Sequence, residues 1–180
     1  MANIDWSTVN EAAEFEQIPA GGYICKITSV KDVEDKEYYN VEFDIAEGPF
    51  KDYFLDASER SGYWFANFVK SYKPKARPFF KGMLTAIEHS NKGFFADKFD
   101  NDPQKLVGKQ IGLVIGIEEY LNKDKEKKER VFVDRICGVE AIKKKDFKIP
   151  EKKLLEPEKK QPSGNIDGFI PMPDGSSPWG

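Results

Sequence analysis

Histidine is almost missing from this chain of 180 residues, which has only His89. General acid–base catalysis, nucleophilic triads and zinc sites usually draw on histidine. The sequence also has no G-x-S-x-G elbow, P-loop, H-E-x-x-H or G-x-G-x-x-G pattern. His89 lies near the end of a predicted helix, which favours a surface residue beside the helix C-terminus. We therefore expect no catalysed reaction and no cofactor.

Cysteine is nearly as scarce, since Cys25 and Cys137 are the only two and lie far apart in the sequence. This spacing does not fit a disulfide framework or a thiolate metal site, so both are expected to be small core residues. No apolar run approaches the ~20 residues that cross a bilayer. Residues 1–16 lack the basic and apolar regions of a signal peptide. These absences predict a cytoplasmic protein.

The charges are segregated along the chain, although the formal net charge is only -3. Residues 1–59 contain 4 basic and 14 acidic residues, and residues 60–150 contain 20 basic and 12 acidic residues. Residues 151–180 contain 4 basic and 5 acidic residues. A basic middle between acidic ends is typical of a protein that binds a polyanion locally.

Hydrophobic patterning predicts a mainly β domain over residues 1–150. Alternation and turn residues predict strands at residues 23–30, 38–45 and 50–55. Two further β-rich runs, residues 111–121 and 130–142, are joined by residues 122–129, which contain no apolar residue and predict a hairpin tip. Glycines at 108, 112 and 116 would let a strand bend around a small barrel.

Helical spacing appears in the middle of the chain. Apolar residues recur at intervals of three and four over residues 78–90, which predicts an amphipathic helix with Pro78 in its first turn. Asp102 and Pro103 predict a second, short helix that Gly108 ends. After Ile149 the composition shifts to Pro, Lys, Glu, Gly and Ser, which predicts a disordered tail over residues 151–180.

Two groups of carboxylates could in principle hold a divalent metal for nuclease chemistry. These are Glu118 with Glu119, and Asp97 with Asp100 and Asp102. Adjacent strand residues point to opposite faces, and an aspartate before a proline suits a helix N-cap. We therefore expect no metal site, and a metal-dependent nuclease is the weaker alternative.

A basic and aromatic segment, residues 63–81, contains no acidic residue. Proteins that bind single strands use cations along the phosphates and flat rings on which bases stack. Within this segment we expect the core to take five of the rings, namely Trp64, Phe65, Phe68, Phe79 and Phe80. Tyr72 is the better stacking candidate because it lies between Ser71 and Lys73 in the basic stretch.

The predicted hairpin tip is a second basic surface, with cations that alternate with Asp124, Glu126 and Glu129. A mixed-charge tip can also be simply a solvated loop. Tyr38 lies on the polar face of its strand, where the core does not use it. The predicted DNA-binding residues are Tyr38, Lys70, Tyr72, Lys73, Lys75, Arg77, Lys123, Lys125, Lys127, Lys128 and Arg130.

Three segments resemble a family of phage-encoded proteins that includes single-stranded DNA-binding proteins with the oligonucleotide-binding (OB) barrel. They are FEQIPAGGY at 15–23, VEFDIAEGPF at 41–50, and the stretch from LVGK at 106–109 to DRI at 134–136. The resemblance covers about residues 6–149 and implies an OB-like five-stranded β-barrel with one or two helices. In such barrels a hairpin between the last strands commonly closes over the bound strand.

The resemblance implies a replication or recombination accessory protein in the cytoplasm of the host cell, which binds single-stranded DNA with little sequence preference. The alternative is a protein-interaction module that binds a host or replisome protein without DNA, with the acidic first third as its surface.

Residues 164–180 resemble the flexible tails with which single-stranded DNA-binding proteins recruit replication or recombination enzymes. No basic residue follows Lys160. The predicted partner-binding residues are Asp167, Phe169, Ile170 and Trp179. The alternative, which the sequence supports equally, is that the tail is an unstructured segment shaped by neutral drift and recruits no partner.

Overall fold

A five-stranded antiparallel sheet forms the body of the protein in a computed structural model that describes Asp5, Ser7 and residues 16–156. The strands are β1 (Gly21–Val33), β2 (Tyr38–Ile45), β3 (Asn67–Ser71), β4 (Gln110–Leu121) and β5 (Lys127–Cys137). The helices are α1 (Tyr53–Ser61), α2 (Arg77–Ser90) and α3 (Val139–Lys143). The predicted mainly β fold is confirmed.

The strand order is β3-β2-β1-β4-β5, so β3 and β5 lie at the two edges of the sheet. Among the described residues β3 and β5 do not pair with each other, and the sheet is not closed into a barrel. β1 pairs with β4 through Gly21 to Lys26 and with β2 from Cys25 onward. Its register shifts between Ile27 and Ser29. An extra residue of this kind bends a strand and increases its twist, which curls the sheet.

The core lies between one face of the sheet and α2. β2 buries Tyr39, Val41, Phe43 and Ile45, as its alternation predicts. α2 contributes its own apolar stripe to the same buried cluster, namely Phe80, Met83, Leu84 and Ile87. The predicted helix is confirmed, with Pro78 in its first turn. Cys25 and Cys137 are buried and free, as expected.

The strand predicted at residues 50–55 is wrong, because α1 begins at Tyr53. Buried Asp44, at the end of β2, holds the start of this helix. One carboxylate oxygen accepts hydrogen bonds from the backbone N–H of Ile45 and Phe54, at 2.8 and 3.0 Å, and the other accepts from Leu55 at 3.0 Å. A helix N-terminus has free N–H groups and favours a negative charge. Burial raises the pKa of Asp44, against the effect of these hydrogen bonds.

The later elements agree with the sequence in part. Asp102 caps a short 3-10 helix, Pro103–Leu106, by accepting from the N–H of Gln104 at 3.0 Å. The predicted hairpin is confirmed, but its second strand ends at Cys137 rather than Ile142. Ile142 belongs to α3 and packs over Gly112, where a side chain would overlap it and the Gly138 carbonyl.

The predicted disorder from residue 151 onward is wrong for residues 151–156, which we call the C-terminal strap. The backbone N–H of Lys153 donates to the Ile117 carbonyl at 3.0 Å, and its carbonyl accepts from Glu119 N–H at 2.8 Å. β1 pairs with β4 only as far as Ile115, so the strap occupies the part of β4 that β1 leaves free. The predicted tail beyond Glu156 lies outside the described residues.

No helix in the described part of the chain is both long enough and apolar enough to cross a membrane.

Candidate nucleic-acid groove

A groove of about 780 Å³ lies between the two sides of the open sheet, and we call it the edge groove. Seven of its fourteen lining residues are aromatic. One wall carries Tyr53, Tyr63, Trp64, Phe65 and Phe68, from α1, β3 and the loop between them. The other wall is the β4–β5 hairpin, with Tyr120 and Phe132. The unclosed edge of the sheet is thus an aromatic-lined channel.

The first wall is held by the core. α1 ends at Gly62, whose φ of 80° favours glycine, and the chain then turns into the groove. Phe65 packs edge-on against buried Phe54, with ring centroids 5.6 Å apart. The indole N–H of Trp64 donates to the Ala66 carbonyl at 2.9 Å. Tyr63 remains 66% exposed, with its ring available to a ligand.

The second wall combines rings with a cation. Arg130 donates to Glu118 at 2.6 Å, and its guanidinium carbon lies 5.0 Å from the centre of the Tyr120 ring. Phe132 lies directly opposite Gly116, where a side chain would overlap its ring. Gly116 therefore permits the close approach of Phe132 to β4, a role more specific than the predicted bending of the strand.

The hairpin tip projects cations beyond this wall. Asn122 fixes the tip, because its side-chain oxygen accepts from the N–H groups of Asp124 and Glu126, each at 2.9 Å. Lys123 and Lys125 are exposed at the tip and form no ion pair within the described residues. Exposed cations at the end of a hairpin that also carries exposed rings suit the alternating phosphates and bases of a single strand.

The other predicted hairpin cations are paired. Lys127 lies 3.0 Å from Glu119, and Lys128 lies 3.6 Å from Glu126. Arg130 lines the edge groove as described above. Of the five predicted hairpin cations, Arg130 alone lines the edge groove. Lys123 and Lys125, at the tip, are the two that form no ion pair among the described residues.

Tyr72 lies elsewhere, half-buried against the core. Its hydroxyl donates to Asp32 at 2.9 Å, and its ring meets Tyr39 and Phe80 edge-on at 5.5 and 6.5 Å. Desolvation, together with the Asp32 carboxylate, raises the pKa of Tyr72 to about 12. These contacts favour a structural role for Tyr72 over the predicted stacking role.

The remaining predicted residues are not brought to the edge groove. Lys73, Lys75 and Arg77 are exposed where α2 begins. Arg77 lines a second pocket of about 620 Å³, whose wall also carries Asp32, Glu34 and Glu37, so acidic groups face any phosphate there. Lys70 lies opposite Tyr39, and burial lowers its pKa. Tyr38 is half-exposed on the outer face of β2, opposite Ser71.

The predicted partner-binding residues, Asp167, Phe169, Ile170 and Trp179, lie outside the described residues. No cluster of three or more His, Cys, Asp or Glu residues able to hold a metal occurs in the described part. The carboxylates considered from the sequence have other contacts, since Glu118 pairs with Arg130 and Asp100 pairs with Lys105.

Replacing Tyr72 with alanine is expected to lower the thermal midpoint and to leave the affinity of the folded protein for oligo-dT unchanged. The ring packs with Tyr39 and Phe80, and neither Tyr72 nor these neighbours line the edge groove. Thermal melts and fluorescence anisotropy with labelled oligo-dT would measure the two effects. Weaker binding at an unchanged midpoint would instead support the stacking role predicted from the sequence.

Trp64, Phe65 and Phe68, which the sequence assigns to the core, are half-buried against it and also line the edge groove. The sequence does not single out Tyr63 and Tyr120, the two more exposed tyrosines of the groove. For Tyr63 the signal was its place in a run of three consecutive rings, because neighbouring side chains of an extended segment point to opposite sides. For Tyr120 the signal was its position at the base of the basic hairpin tip.

No protein-family model matches this chain, and a comparison with curated proteins finds no match.

Proposed function

We propose that this protein binds single-stranded DNA with little sequence preference, with bases stacked in the edge groove and phosphates held by the hairpin cations. The observation that supports this most is that half of the groove lining is aromatic and that Arg130 lies among the rings. Stacking on an aromatic side chain is worth about 1 to 3 kcal/mol per base and tolerates any base, because each base has a π face.

The arrangement of the strands supports an OB-like barrel as the scaffold. β1 pairs with both β2 and β4, and α2 lies between β3 and β4 in the chain. The OB fold is a five-stranded, partly open barrel that binds oligonucleotides near strands 2 and 3 and the loop between strands 4 and 5. The edge groove lies between β3 and the β4–β5 hairpin, which is the corresponding region.

The charge distribution supports the same proposal. Residues 60–150, which carry the hairpin and twelve of the fourteen residues that line the groove, have 20 basic and 12 acidic residues. The role that we propose is that of an accessory protein for phage replication or recombination, which covers exposed single strands and catalyses no reaction. Binding of this kind depends on phosphate neutralisation and should weaken strongly with salt.

The proposal is tested by measuring the Kd for labelled oligo-dT at several salt concentrations from about 50 to about 200 mM. Over this range the contribution of phosphate contacts to affinity changes strongly. We expect log Kd to rise with log salt by about 0.7 per neutralised phosphate. Parallel samples with magnesium monitor cleavage. Absence of binding at low salt would contradict the proposal, and magnesium-dependent cleavage would favour the nuclease alternative.

A protein-interaction module is the second candidate. It is supported by the acidic wall of the second pocket, where Asp32, Glu34 and Glu37 lie beside exposed surface. A protein that binds no oligonucleotide but retains a basic partner protein on an affinity resin would favour this candidate.

A further inference from the structure

The C-terminal strap lies against the hairpin that forms the second wall of the edge groove. Its backbone pairs with β4 at Ile117 and Glu119, so it runs beside the strand that carries Glu118 and Tyr120. The sequence gives this segment no role beyond a tail. In the structure, two adjacent lysines of the strap reach residues of the wall.

The first of these lysines, Lys152, pairs with two carboxylates of the hairpin. Its ammonium contacts Glu129 and lies 3.5 Å from Glu119. Glu119 is further held by Lys127 and by the backbone N–H of Leu155, and its side chain is only 7% exposed. Glu129 lines the edge groove, where an unpaired carboxylate would repel a phosphate. Lys152 therefore neutralises an acidic group of the wall.

The second lysine, Lys153, places a charge on the wall itself. Its ammonium nitrogen lies 3.6 Å from the centre of the Phe132 ring, and Phe132 lines the groove. A cation over an aromatic face is attracted to the ring and keeps its full positive charge. Lys153 is exposed and forms no ion pair among the described residues. Its ammonium is thus held in place and still open to an anion.

We infer that the strap is part of the nucleic-acid site: Lys153 contacts a backbone phosphate of the strand bound in the edge groove, and Lys152 removes the repulsion from Glu129. This inference rests on the proposed function, because the phosphodiester is the ligand that it assigns to Lys153. The Phe132 ring packs on Gly116 and carries the Lys153 ammonium, so we assign Phe132 as a platform for the cation.

The test uses the full chain and labelled oligo-dT. Lys153→Gln is expected to weaken binding and to reduce the salt slope by about 0.7, the share of one phosphate contact on a single strand. Lys153→Arg should retain both values, since guanidinium also packs on rings and binds phosphate. Lys144→Gln is the matched control, because Lys144 is also exposed and lies at the end of α3, which packs near Gly112 at the opposite end of β4.

Lys152 is tested by rescue. Lys152→Gln should weaken binding, and the added change Glu129→Gln should restore it, because the repelling charge is then gone. Thermal midpoints near that of the parent chain establish folding. If Lys153→Gln binds with the affinity and slope of the parent chain, the strap has no part in the site while the proposed function stands. If the parent chain itself binds no oligo-dT, both the inference about the strap and the proposed function are wrong.

Discussion

The double variant Tyr63→Ala/Tyr120→Ala is expected to lose about 2 to 6 kcal/mol of binding free energy for oligo-dT while it remains folded. The two rings lie on opposite walls of the edge groove. Tyr63 is 66% exposed and Tyr120 is half-exposed, so neither is a large part of the core. Each removed platform costs about 1 to 3 kcal/mol if one base stacks on it, and separate walls make the two losses nearly additive.

The matched control is Phe79→Ala. The sequence assigns Phe79 to the core, which is wrong, because Phe79 is 71% exposed on α2. It does not line the edge groove, so the same loss of an exposed ring should leave the affinity unchanged. Anisotropy titrations at fixed salt would compare the single, double and control variants. Equal losses in Phe79→Ala and the groove variants would show that exposed rings bind the strand wherever they lie, which would contradict a defined groove.

The elements that the sequence predicts well are those with complete periodic patterns. β2 matches its predicted range because four buried apolar residues alternate with four more polar ones, of which Asp44 alone is buried. α2 matches because its apolar residues keep helical spacing over 14 residues. β3 has no such pattern, since Val69 is exposed and Phe68 only half-buried on a short edge strand. The start of α1 has no local signal, because its first N–H groups are bound by Asp44, a residue of the preceding strand. The sequence therefore predicts a strand there.

The site was predicted in composition but not in geometry. The sequence identifies a basic, aromatic middle and a cationic hairpin, and the structure places Arg130 of that hairpin among the rings of the groove. The sequence alone does not assign individual rings to the core or to the groove, because the burial of a ring depends on partners that are distant in the chain. Tyr72 is held by Asp32, 40 residues away in the chain, and Trp64 faces residues of the hairpin.

The strap escaped prediction for a related reason. The strap begins a longer segment, residues 151–180, that is rich in lysine, glutamate and proline, a composition typical of disorder because it buries little apolar surface. Its position is fixed instead by the free half of β4 beyond Ile115 and by carboxylates of two strands, Glu119 and Glu129. Neither feature is visible before the sheet is assembled.

Phe54→Ala is expected to lower the free energy of unfolding by about 3 to 5 kcal/mol, the usual loss for a buried phenylalanine. Phe54 is 1% exposed and lies at the start of α1. Its ring meets Phe43, Tyr53 and Phe65 edge-on, with centroids 5.5, 5.0 and 5.6 Å apart. Truncation removes all three ring contacts and leaves a cavity that the surrounding strands cannot fill.

The same substitution connects the core to the groove, because Tyr53 and Phe65 line it and Phe54 packs between them and β2. We expect the folded fraction of Phe54→Ala to bind oligo-dT more weakly and the amides of α1 to exchange faster with solvent. Leu55→Ala is the matched control, since Leu55 is 44% exposed and its loss should change stability by less than about 1 kcal/mol. Denaturant unfolding, hydrogen exchange and anisotropy would measure these effects. A variant that loses stability but keeps its full affinity would show that the first wall of the groove is positioned independently of α1.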